Sequence, residues 1–317
     1  MRIVFMGTPD FAAVSLKALL EAGQQVVAVV TQPDKPKGRG KQVQAPPVKV
    51  LAEAYDLPVL QPTSVRTNEF LQIMQEINPE CIIVVAYGKI LPSELLDLPP
   101  KGCINVHASI LPYYRGSAPI HWAIINGETE TGVTTMYMDK GMDTGDMILK
   151  SYLSIGSEDT VGEIHDKLAA QGAELLLETT RLLEQNRTPR TPQNNDLATY
   201  APMLKKENEL IQWHTGANKI HNHVRGMNPW PVTYTTWGDK ILKIWRTALP
   251  PQGNNAAEPG TVLETNSSGI LVQAGQGQIL IKELQLQGSK RMEAEQFLRG
   301  KQLLPGTVLG KEGGGDH

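Results

Sequence analysis

The sequence is poor in cysteine, with only Cys81 and Cys103 among its 317 residues. Both lie within apolar, strand-like runs and they do not form a CxxC pair, so we interpret them as reduced core residues. Neither a disulfide framework nor a cysteine-based metal site is therefore expected. The sequence also contains no apolar run of the roughly 20 residues that a membrane-spanning helix requires.

Two further patterns are missing. The segment after the first predicted strand reads Gly7-Thr-Pro and does not have the GxGxxG spacing, which argues against a dinucleotide site and hence against a dehydrogenase. Residues 1–6 lead directly into this turn, without the apolar core and cleavage site of a signal peptide. A cytoplasmic location is therefore expected.

An excess of positive charge is missing as well, because the formal net charge is −3. The charge is unevenly distributed: from Met203 onward there are 13 Lys and Arg against 10 Asp and Glu, and before it 17 against 23. These counts give +3 for the C-terminal part and −6 for the rest. The asymmetry permits contact with a nucleic acid through local patches but does not demonstrate it.

The order of predicted elements indicates an α/β fold. Strands are predicted at about 2–6, 25–31 and 81–86, with helices at about 10–21 and 46–55 between them. This alternation predicts a Rossmann-like, doubly wound and mostly parallel sheet. In such sheets ligands bind beyond the carboxyl ends of the strands.

The chain is long enough for about two domains. A long helix is predicted from Thr160, which forms a capping box with Glu163, to about residue 185. Residues 187–206 are rich in Pro and Asn, which predicts a linker between a first domain over 1–186 and a second over 207–310. The second domain contains mostly strand-like pieces and is predicted to be a small barrel of about five strands, followed by a flexible tail over 311–317.

The most informative segment begins at Asn105. Asn105 and His107 lie two residues apart in a predicted strand, so their side chains share one face. An amide N–H donor beside a proton-carrying imidazole suits a carbonyl that becomes an oxyanion. A single histidine at a strand end is, however, more often structural than catalytic.

A carboxylate-rich loop follows about 36 residues later, over residues 138–146. It contains three Asp residues among glycines, and one of them could hold the imidazole protonated and oriented. Alone, such a loop is usually a solvated turn or an unrelated cation site. Both segments in this order form a more specific pattern.

Together these segments resemble the 10-formyltetrahydrofolate-dependent formyltransferases. That family has Asn-x-His, then Ser-(Leu/Ile)-Leu-Pro, then Arg-Gly, and later Asp-Thr-Gly-Asp. The matching residues here are Asn105, His107, Ser109, Ile110, Leu111, Pro112, Arg115, Gly116 and Asp143. The resemblance extends from residue 1 to about 306, and the segments 7–11, 31–41 and 228–231 narrow it to the members that act on tRNA.

The resemblance implies direct formyl transfer from 10-formyltetrahydrofolate to an amine, with neither a covalent intermediate nor a metal. It implies that Asn105 and protonated His107 donate hydrogen bonds to the oxyanion, while Asp143 pairs with His107 and relays a proton. The folate site is expected to be formed by Tyr87, Ser109, Ile110, Leu111, Pro112 and Gly141, with the backbone of residues 138–141. The C-terminal domain is expected to be OB-like and to bind tRNA.

Four positive charges, Lys35, Lys37, Arg39 and Lys41, lie close together among Gly and Pro. A basic loop of this kind is more often solvated than functional. Given the resemblance, we expect it to contact the phosphates of tRNA and to become ordered when RNA binds. Arg39 is the first candidate, since a guanidinium group can bind phosphate or a base edge through two hydrogen bonds.

Two histidines near the start of the second domain suggest a metal site. His221 and His223 would point about 200° apart on a helix, so they cannot bind one ion there. A surface or tRNA-facing role is predicted for them instead.

The predicted activity is formylation of the α-amine of methionyl-tRNA, the charged initiator tRNA, for translation initiation. The nearest alternative is the same chemistry on a small amine, either glycinamide ribonucleotide or an amino sugar. Those relatives lack the basic loop and a C-terminal domain of this type. An RNA-binding protein without catalysis is a second alternative, and it would give Asn105, His107 and Asp143 no reason to converge. The expected partners are the tRNA and the folate, without a membrane, and the chain is expected to be a monomer.

Overall fold

The computed structural model describes residues 1–37, 42–251, 253 and 256–311. The chain forms two compact units. The first consists of Met1–Pro119, Glu130–Ser154 and His165–Pro202. The second consists of Ile120–Thr129, Ile155–Ile164 and the residues from Met203 onward.

The elements up to residue 202 are described first. In chain order they are β1 (Ile3–Gly7), α1 (Asp10–Glu21), β2 (Val26–Val30), β3 (Lys35–Lys37), β4 (Gln42–Gln44), α2 (Pro47–Ala54), β5 (Val59–Leu60), α3 (Asn68–Ile77), β6 (Cys81–Val85), α4 (Ser93–Leu96), β7 (Cys103–His107), β8 (Arg115–Gly116), α5 (Pro119–Ile125), β9 (Glu130–Tyr137), β10 (Met147–Ser154), α6 (Val161–Glu184) and β11 (Tyr200–Ala201).

A seven-stranded sheet forms the centre of the first unit, in the order β10-β9-β7-β6-β1-β2-β5. The strands from β7 to β5 are parallel, whereas β9 is antiparallel to both β7 and β10. All residues of β1 and β6 are buried, as expected for apolar strands covered on both faces. The predicted Rossmann-like, mostly parallel sheet is thus confirmed.

The register of the parallel strands determines where a site can lie. Gly7 at the end of β1 pairs with Val85, and Val84 pairs with Asn105. The carboxyl ends of β1, β6 and β7 therefore meet at one edge of the sheet. This edge carries the Gly7 turn, Tyr87 and His107.

Local signals in the sequence set the ends of the long helix. Thr160 and Glu163 form the predicted capping box before α6: the Thr160 amide donates to Glu163 Oε2 at 2.8 Å, and the Glu163 amide donates to Thr160 Oγ1 at 3.4 Å. The helix ends at Glu184, within a residue of the prediction.

Residues 187–202, within the predicted linker, make defined contacts inside the first unit. β11 pairs with β8 in parallel, and Thr191 and Met147 exchange backbone hydrogen bonds of 2.9 and 3.0 Å. The composition of this interval did not indicate these contacts. The domain boundaries drawn from the sequence stay a prediction.

The second unit is dominated by an antiparallel sheet. Its later elements are α7 (Ala217–Gly226), β12 (Thr233–Trp237), β13 (Lys240–Ala248), β14 (Val262–Asn266), β15 (Gly269–Gln273), β16 (Gln278–Leu286), β17 (Met292–Glu293) and α8 (Ala294–Gly300). The strand order is β12-β13-β16-β15-β14, with β17 paired to β16. Residues 307–310 link the two edge strands, because Val262 in β14 donates to Thr307 O at 2.7 Å and Gly310 donates to Thr236 O, in β12, at 2.9 Å. This linkage closes the sheet as a small barrel requires.

The predicted surface role is wrong for His221, whereas His223 is half-buried. His221 is buried, with Nδ1 3.0 Å from Thr247 Oγ1 and Nε2 3.2 Å from Ser157 O, and His223 Nε2 lies 2.6 Å from Asn208 O. Burial lowers the pKa of both imidazoles. Hydrogen-bond partners distant in the sequence satisfy these rings, and local spacing could not reveal them.

Two properties of the described residues bear on cofactors and membranes. None of the helices in the described ranges is long and apolar enough to cross a membrane. Within the same ranges, no group of three or more His, Cys, Asp or Glu side chains could hold a metal ion.

Candidate active site

Asn105 and His107 lie on β7, as their spacing predicts. His107 is buried, with Nε2 3.0 Å from the carbonyl oxygen of Tyr114 and Nδ1 3.7 Å from Asp143 Oδ2. Because a carbonyl only accepts hydrogen bonds, Nε2 carries the hydrogen in this arrangement. Nδ1 is then the ring nitrogen without a hydrogen, and it faces the Asp143 carboxylate.

The distance between His107 and Asp143 has a chemical consequence. At 3.7 Å the two groups do not form a direct hydrogen bond. A third atom can nevertheless lie about 2.8 Å from both, which is an ordinary hydrogen-bond distance. Asn105 is half-buried, and within the described part of the chain its side-chain amide has no hydrogen-bond partner. The site therefore contains an unused amide donor two residues from an imidazole that faces a carboxylate.

The structure distinguishes the three carboxylates of the predicted loop. Asp139 accepts from the amide of Gly141 at 2.9 Å and from the Thr144 hydroxyl at 2.6 Å. Asp146 lies 3.7 Å from the Arg190 guanidinium. Of the three, Asp143 is the one that lies within 4 Å of His107, with Oδ2 3.7 Å from Nδ1. The structure thus brings Asp143 next to His107, and its role in the reaction stays a prediction.

The Asp143 carboxylate is held by backbone. Its Oδ2 accepts from the amide of Gly116 at 2.8 Å. Gly116 has φ of +121°, and a Cβ there would lie 2.6 Å from the carbonyl oxygen of Ala201 in β11. Glycine is thus required where β8 approaches β11, and this approach places the amide that holds Asp143.

Backbone strain flanks His107 on both sides. Tyr114 has φ of +59° and Asp143 has φ of +54°, a region that non-glycine residues rarely adopt. Each such conformation costs roughly 1–3 kcal/mol and persists only where the surroundings enforce it. Both strained residues present an oxygen to the imidazole, so the strained backbone lies at the two contacts of the His107 ring.

Sequence reasoning missed Gln193, Asn195 and Thr199, which contact Tyr114 and Arg115 beside this site. Arg115 is buried, and its guanidinium donates to Gln193 Oε1 at 3.0 and 2.7 Å and to Asn195 Oδ1 at 2.9 Å. Thr199 Oγ1 accepts from the amide of Tyr114 at 2.9 Å. All three lie in the interval predicted as a linker. The only available signal was a run of amide and hydroxyl side chains after α6, which solvated linkers also have.

The loop after β7 is fixed by polar contacts. The Ser109 hydroxyl donates to Tyr113 O at 2.6 Å, and the Thr134 hydroxyl donates to Ser109 O at 2.7 Å. Lys150 Nζ donates to Leu111 O at 2.6 Å, and burial lowers the pKa of this lysine. The side chains of Ser109 and Leu111 are buried and already used. They shape the loop, and the contacts they could offer a ligand are those of the backbone.

Of the remaining predicted folate residues, Ile110 is half-buried and Pro112 is buried. The Tyr87 side chain is packed in the core, and its carbonyl accepts from Thr8 Oγ1 at 3.2 Å and from Gln32 Nε2 at 3.1 Å. Its buried hydroxyl has no partner within the described chain, and burial raises the pKa of Tyr87 to about 12.

A cavity of about 420 Å³ adjoins the carboxylate loop. It is lined by Leu96, Asp97, Met138, Asp139, Lys140 and Gly141. This volume falls within the range of small-molecule sites, roughly 300–1,000 Å³. A Cβ on Gly141 would collide with the Thr144 side chain, so a larger residue there would displace the hydroxyl that donates to Asp139. Residues 138–141, expected from the sequence at the folate site, therefore line a cavity of suitable size.

The basic segment is a hairpin at its base, where Lys35 on β3 pairs with Gln44 on β4. Lys35 is exposed. The base is anchored at Asp34, which accepts from Lys49 Nζ at 2.8 Å and from Gln61 Nε2 at 2.6 Å, and these two bonds lower the pKa of Asp34.

The sequence predicted no strands in this segment. The side chain of Lys37 and the whole of Arg39 and Lys41 lie outside the described residues, so their contact with tRNA stays a prediction.

The chain was compared with known families. The family described as "Formyl transferase" matches residues 1–180, and "Formyl transferase, C-terminal domain" matches residues 203–302. The chain belongs to the formyl transferase family. This family assignment covers both units and agrees with the resemblance seen at Asn105, His107 and Asp143.

Individual relatives of this formyl transferase share most of its sequence. The methionyl-tRNA formyltransferase of Desulforamulus reducens is 76% identical over 314 residues, which is 99% of each chain. That of Pelotomaculum thermopropionicum is 53% identical over 311 residues, which is 98% of this chain and 99% of the relative.

Solved structures with the same fold are more distant in sequence. An N-formyltransferase from Helicobacter canadensis, in complex with folinic acid and dTDP-3-aminofucose, has a TM-score of 0.62 at 19% identity and covers 88% of this chain and 98% of its own. HypX from Aquifex aeolicus, in complex with tetrahydrofolic acid, has a TM-score of 0.62 at 17% identity over 94% of this chain and 47% of its own. Methionyl-tRNA formyltransferase from Clostridium thermocellum has a TM-score of 0.54 at 19% identity over 79% of this chain and 94% of its own. At these identities the likeness concerns the fold of the formyl transferase alone.

Proposed function

We propose that this formyl transferase moves the formyl group of 10-formyltetrahydrofolate to the α-amine of methionyl-tRNA. The observation that carries the chemistry is the approach of Asp143 to 3.7 Å from His107 Nδ1, two residues along β7 from the unused amide of Asn105. The acceptor is supported by relatives of that name at 76% and 53% identity along nearly the whole chain.

The reaction is a direct acyl transfer. The amine nitrogen attacks the formyl carbon, a C–N bond forms, and the carbonyl oxygen becomes an oxyanion. The Asn105 amide donates a hydrogen bond to this oxygen. Preorganised donors of this kind contribute about 2.7–4 kcal/mol each to the stability of the transition state.

The second half of the reaction breaks the bond between the formyl carbon and N10. The nitrogen N10 leaves with a proton, and the attacking amine loses one. His107 and Asp143 are placed to transfer this proton, because a water or a reacting nitrogen fits between Nδ1 and Oδ2. In the proposed mechanism a proton on Nδ1 faces the Asp143 carboxylate, and the positive charge of the imidazole ring favours the nearby oxyanion electrostatically.

Folate is proposed to bind in the cavity beside residues 138–141. Its pterin-like ring has amide edges, which pair with backbone N–H and C=O groups. The proposed contacts are backbone groups of residues 109–112 and of Gly141. Tyr87 belongs to the core cluster against which Met138 packs. This assignment is supported by the folate derivatives named for two proteins of the same fold.

The acceptor tRNA is proposed to contact Lys35, Lys37, Arg39 and Lys41 and the second unit. The charge of +3 from Met203 onward favours a phosphate partner modestly. Catalysis is assigned to residues 1–186 and tRNA binding to 207–310, with 187–206 between them. We propose that the protein acts as a monomer in the cytoplasm, where its tRNA substrate is used in translation.

A turnover assay tests the donor and the site together. The protein is incubated with methionyl-tRNA and either 10-formyltetrahydrofolate or 5-formyltetrahydrofolate, and the formyl group on the tRNA is quantified with time. We expect turnover with 10-formyltetrahydrofolate and none with 5-formyltetrahydrofolate. We also expect the Asp143→Asn variant to lose this turnover. Turnover that is unchanged in Asp143→Asn would contradict the proposed mechanism.

A further inference from the structure

Gln193 connects two segments of the site through one side-chain amide. Its Nε2 donates to the carbonyl oxygens of Asp143 and Gly145, both at 2.8 Å. Its Oε1 accepts from Nε and Nη2 of Arg115, at 3.0 and 2.7 Å. Four hydrogen bonds therefore use this side chain, and two of them hold the loop that carries Asp143.

The orientation of this amide is fixed by its partners. A guanidinium group can only donate, and a backbone carbonyl can only accept. Gln193 must therefore direct Oε1 to Arg115 and Nε2 to the Asp143 loop. A glutamate of the same shape would keep the first contact and would place an oxygen against two carbonyl oxygens.

The contacts form a closed ring next to His107. Arg115 lies between Tyr114, whose carbonyl contacts His107 Nε2, and Gly116, whose amide holds the Asp143 carboxylate. Gln193 ties the Arg115 side chain to the Asp143 backbone and so completes the ring. The Asp143 residue is consequently held at its carboxylate by Gly116 and at its carbonyl by Gln193.

A strained residue needs such support. Asp143 has φ of +54°, and the gap between its carboxylate and His107 Nδ1 is 3.7 Å, which suits one shared atom. A small displacement of the loop would change that gap. Misplacement of a catalytic group by about 1 Å can lower a rate by two orders of magnitude.

We infer that Gln193 is a positioning residue for formyl transfer, which acts by holding Asp143 at its working distance from His107. This inference rests on the proposed function, because it assumes that Asp143 takes part in the reaction. It also gives the interval 187–202 a part in the site beyond connecting the two units.

The variant Gln193→Glu separates this role from a structural one. It retains the bond to Arg115 and strengthens it by charge, but it repels the carbonyls of Asp143 and Gly145. If Gln193 only anchors Arg115, the variant will behave as the wild type does. Gln193→Met is a second variant of similar length that makes neither contact, for the case in which Gln193→Glu does not fold. Gln171→Glu, on α6, is the matched control, because its amide donates to Ser151 and to Tyr152 O at 2.9 Å and, within the described residues, makes no hydrogen bond to this loop.

The experiment measures kcat and KM for methionyl-tRNA and 10-formyltetrahydrofolate as a function of pH. Gln193→Glu is expected to lower kcat by about tenfold or more with KM values within about threefold, while Gln171→Glu stays within about twofold of the wild type. The acidic limb of its pH–rate profile should move in the same direction as that of Asp143→Asn. In an Asp143→Asn background, adding Gln193→Glu should cost less than about twofold, because the residue it positions is already disabled.

Three results would overturn the inference: wild-type kcat in Gln193→Glu and Gln193→Met, an equal loss in Gln171→Glu, or full additivity with Asp143→Asn. A wild-type protein without activity on methionyl-tRNA would overturn the proposed function first, and the inference with it. The two failures are therefore distinguishable by the wild-type measurement.

Discussion

Replacement of Asn105 by alanine should separate catalysis from stability. The side-chain amide is half-buried and has no hydrogen-bond partner in the described chain, so its removal leaves no protein group unpaired. Loss of one oxyanion donor costs about 2.7–4 kcal/mol in the transition state. The expected kcat is therefore about 10²–10³ below that of the wild type. The unfolding free energy should change by about 0.5 kcal/mol or less.

His107→Ala provides the contrast. His107 is buried, and its replacement removes the packed ring together with its hydrogen bond of 3.0 Å to the Tyr114 carbonyl. The lost hydrogen bond alone costs about 0.5–1.5 kcal/mol, and in a domain of this size about 1 kcal/mol lowers Tm by roughly 2–4 °C. His107→Ala should thus lose both activity and several degrees of Tm, whereas Asn105→Ala should lose activity alone.

The assay combines kcat at saturating methionyl-tRNA and folate with thermal unfolding followed by circular dichroism. Asn68→Ala, a matched change at an exposed position at the start of α3, is the control and should alter neither quantity. The reasoning is refuted if Asn105→Ala retains kcat within about threefold of the wild type, or if its lost activity parallels a lost Tm.

Three further predictions follow from the same geometry. Asp143→Asn should lower kcat at least about tenfold and displace the acidic limb of the pH–rate profile, because a neutral amide cannot balance the His107 cation; an unmoved profile with full activity would assign Asp143 a structural role. Arg39→Ala should raise KM for methionyl-tRNA about tenfold, reduce the salt dependence of this KM by about one unit of slope and leave the folate KM unchanged, and Lys41→Ala should have a smaller effect. Steady-state kinetics at several salt concentrations measure both KM values. An equal rise in the folate KM would exclude a specific role in tRNA binding. Burial lowers the pKa of His221 and His223 below their unfolded value of about 6.5, so the unfolded state binds more protons as pH falls through this value. The unfolding free energy should therefore decrease by up to about 1.4 kcal/mol per pH unit for each residue. Urea unfolding between pH 8 and pH 5 checks this, and the dependence of the unfolding free energy on pH should be weaker in His221→Gln.

Patterns confined to one element were predictable from the sequence. Asn105 and His107 share a strand face because the period of a strand is two, and the capping box of Thr160 and Glu163 is visible as two residues three apart. The parallel sheet followed from apolar strands such as β6 alternating with helices. Resemblance then selected Asp143 among three carboxylates, which spacing alone left open.

Contacts between distant segments were not predictable. Gln193 lies 78 residues from Arg115 and 50 from Asp143 in the chain, and its polar, Pro-rich neighbourhood is typical of solvated linkers. The β3–β4 hairpin could not be predicted from the sequence, because its Lys and Pro residues have low strand propensity. His221 was assigned to the surface because its partners, Thr247 and Ser157, are brought close only by the fold.

The most direct measurement is the ratio of kcat/KM for three acceptors with 10-formyltetrahydrofolate as donor. Methionyl-tRNA, glycinamide ribonucleotide and dTDP-3-aminofucose are offered separately to the wild-type protein, with Asn105→Ala as the blank. The account predicts a kcat/KM for methionyl-tRNA at least about two orders of magnitude above either small amine, since only the tRNA engages the hairpin and the second unit. A small amine formylated as efficiently as methionyl-tRNA, or more so, would contradict it.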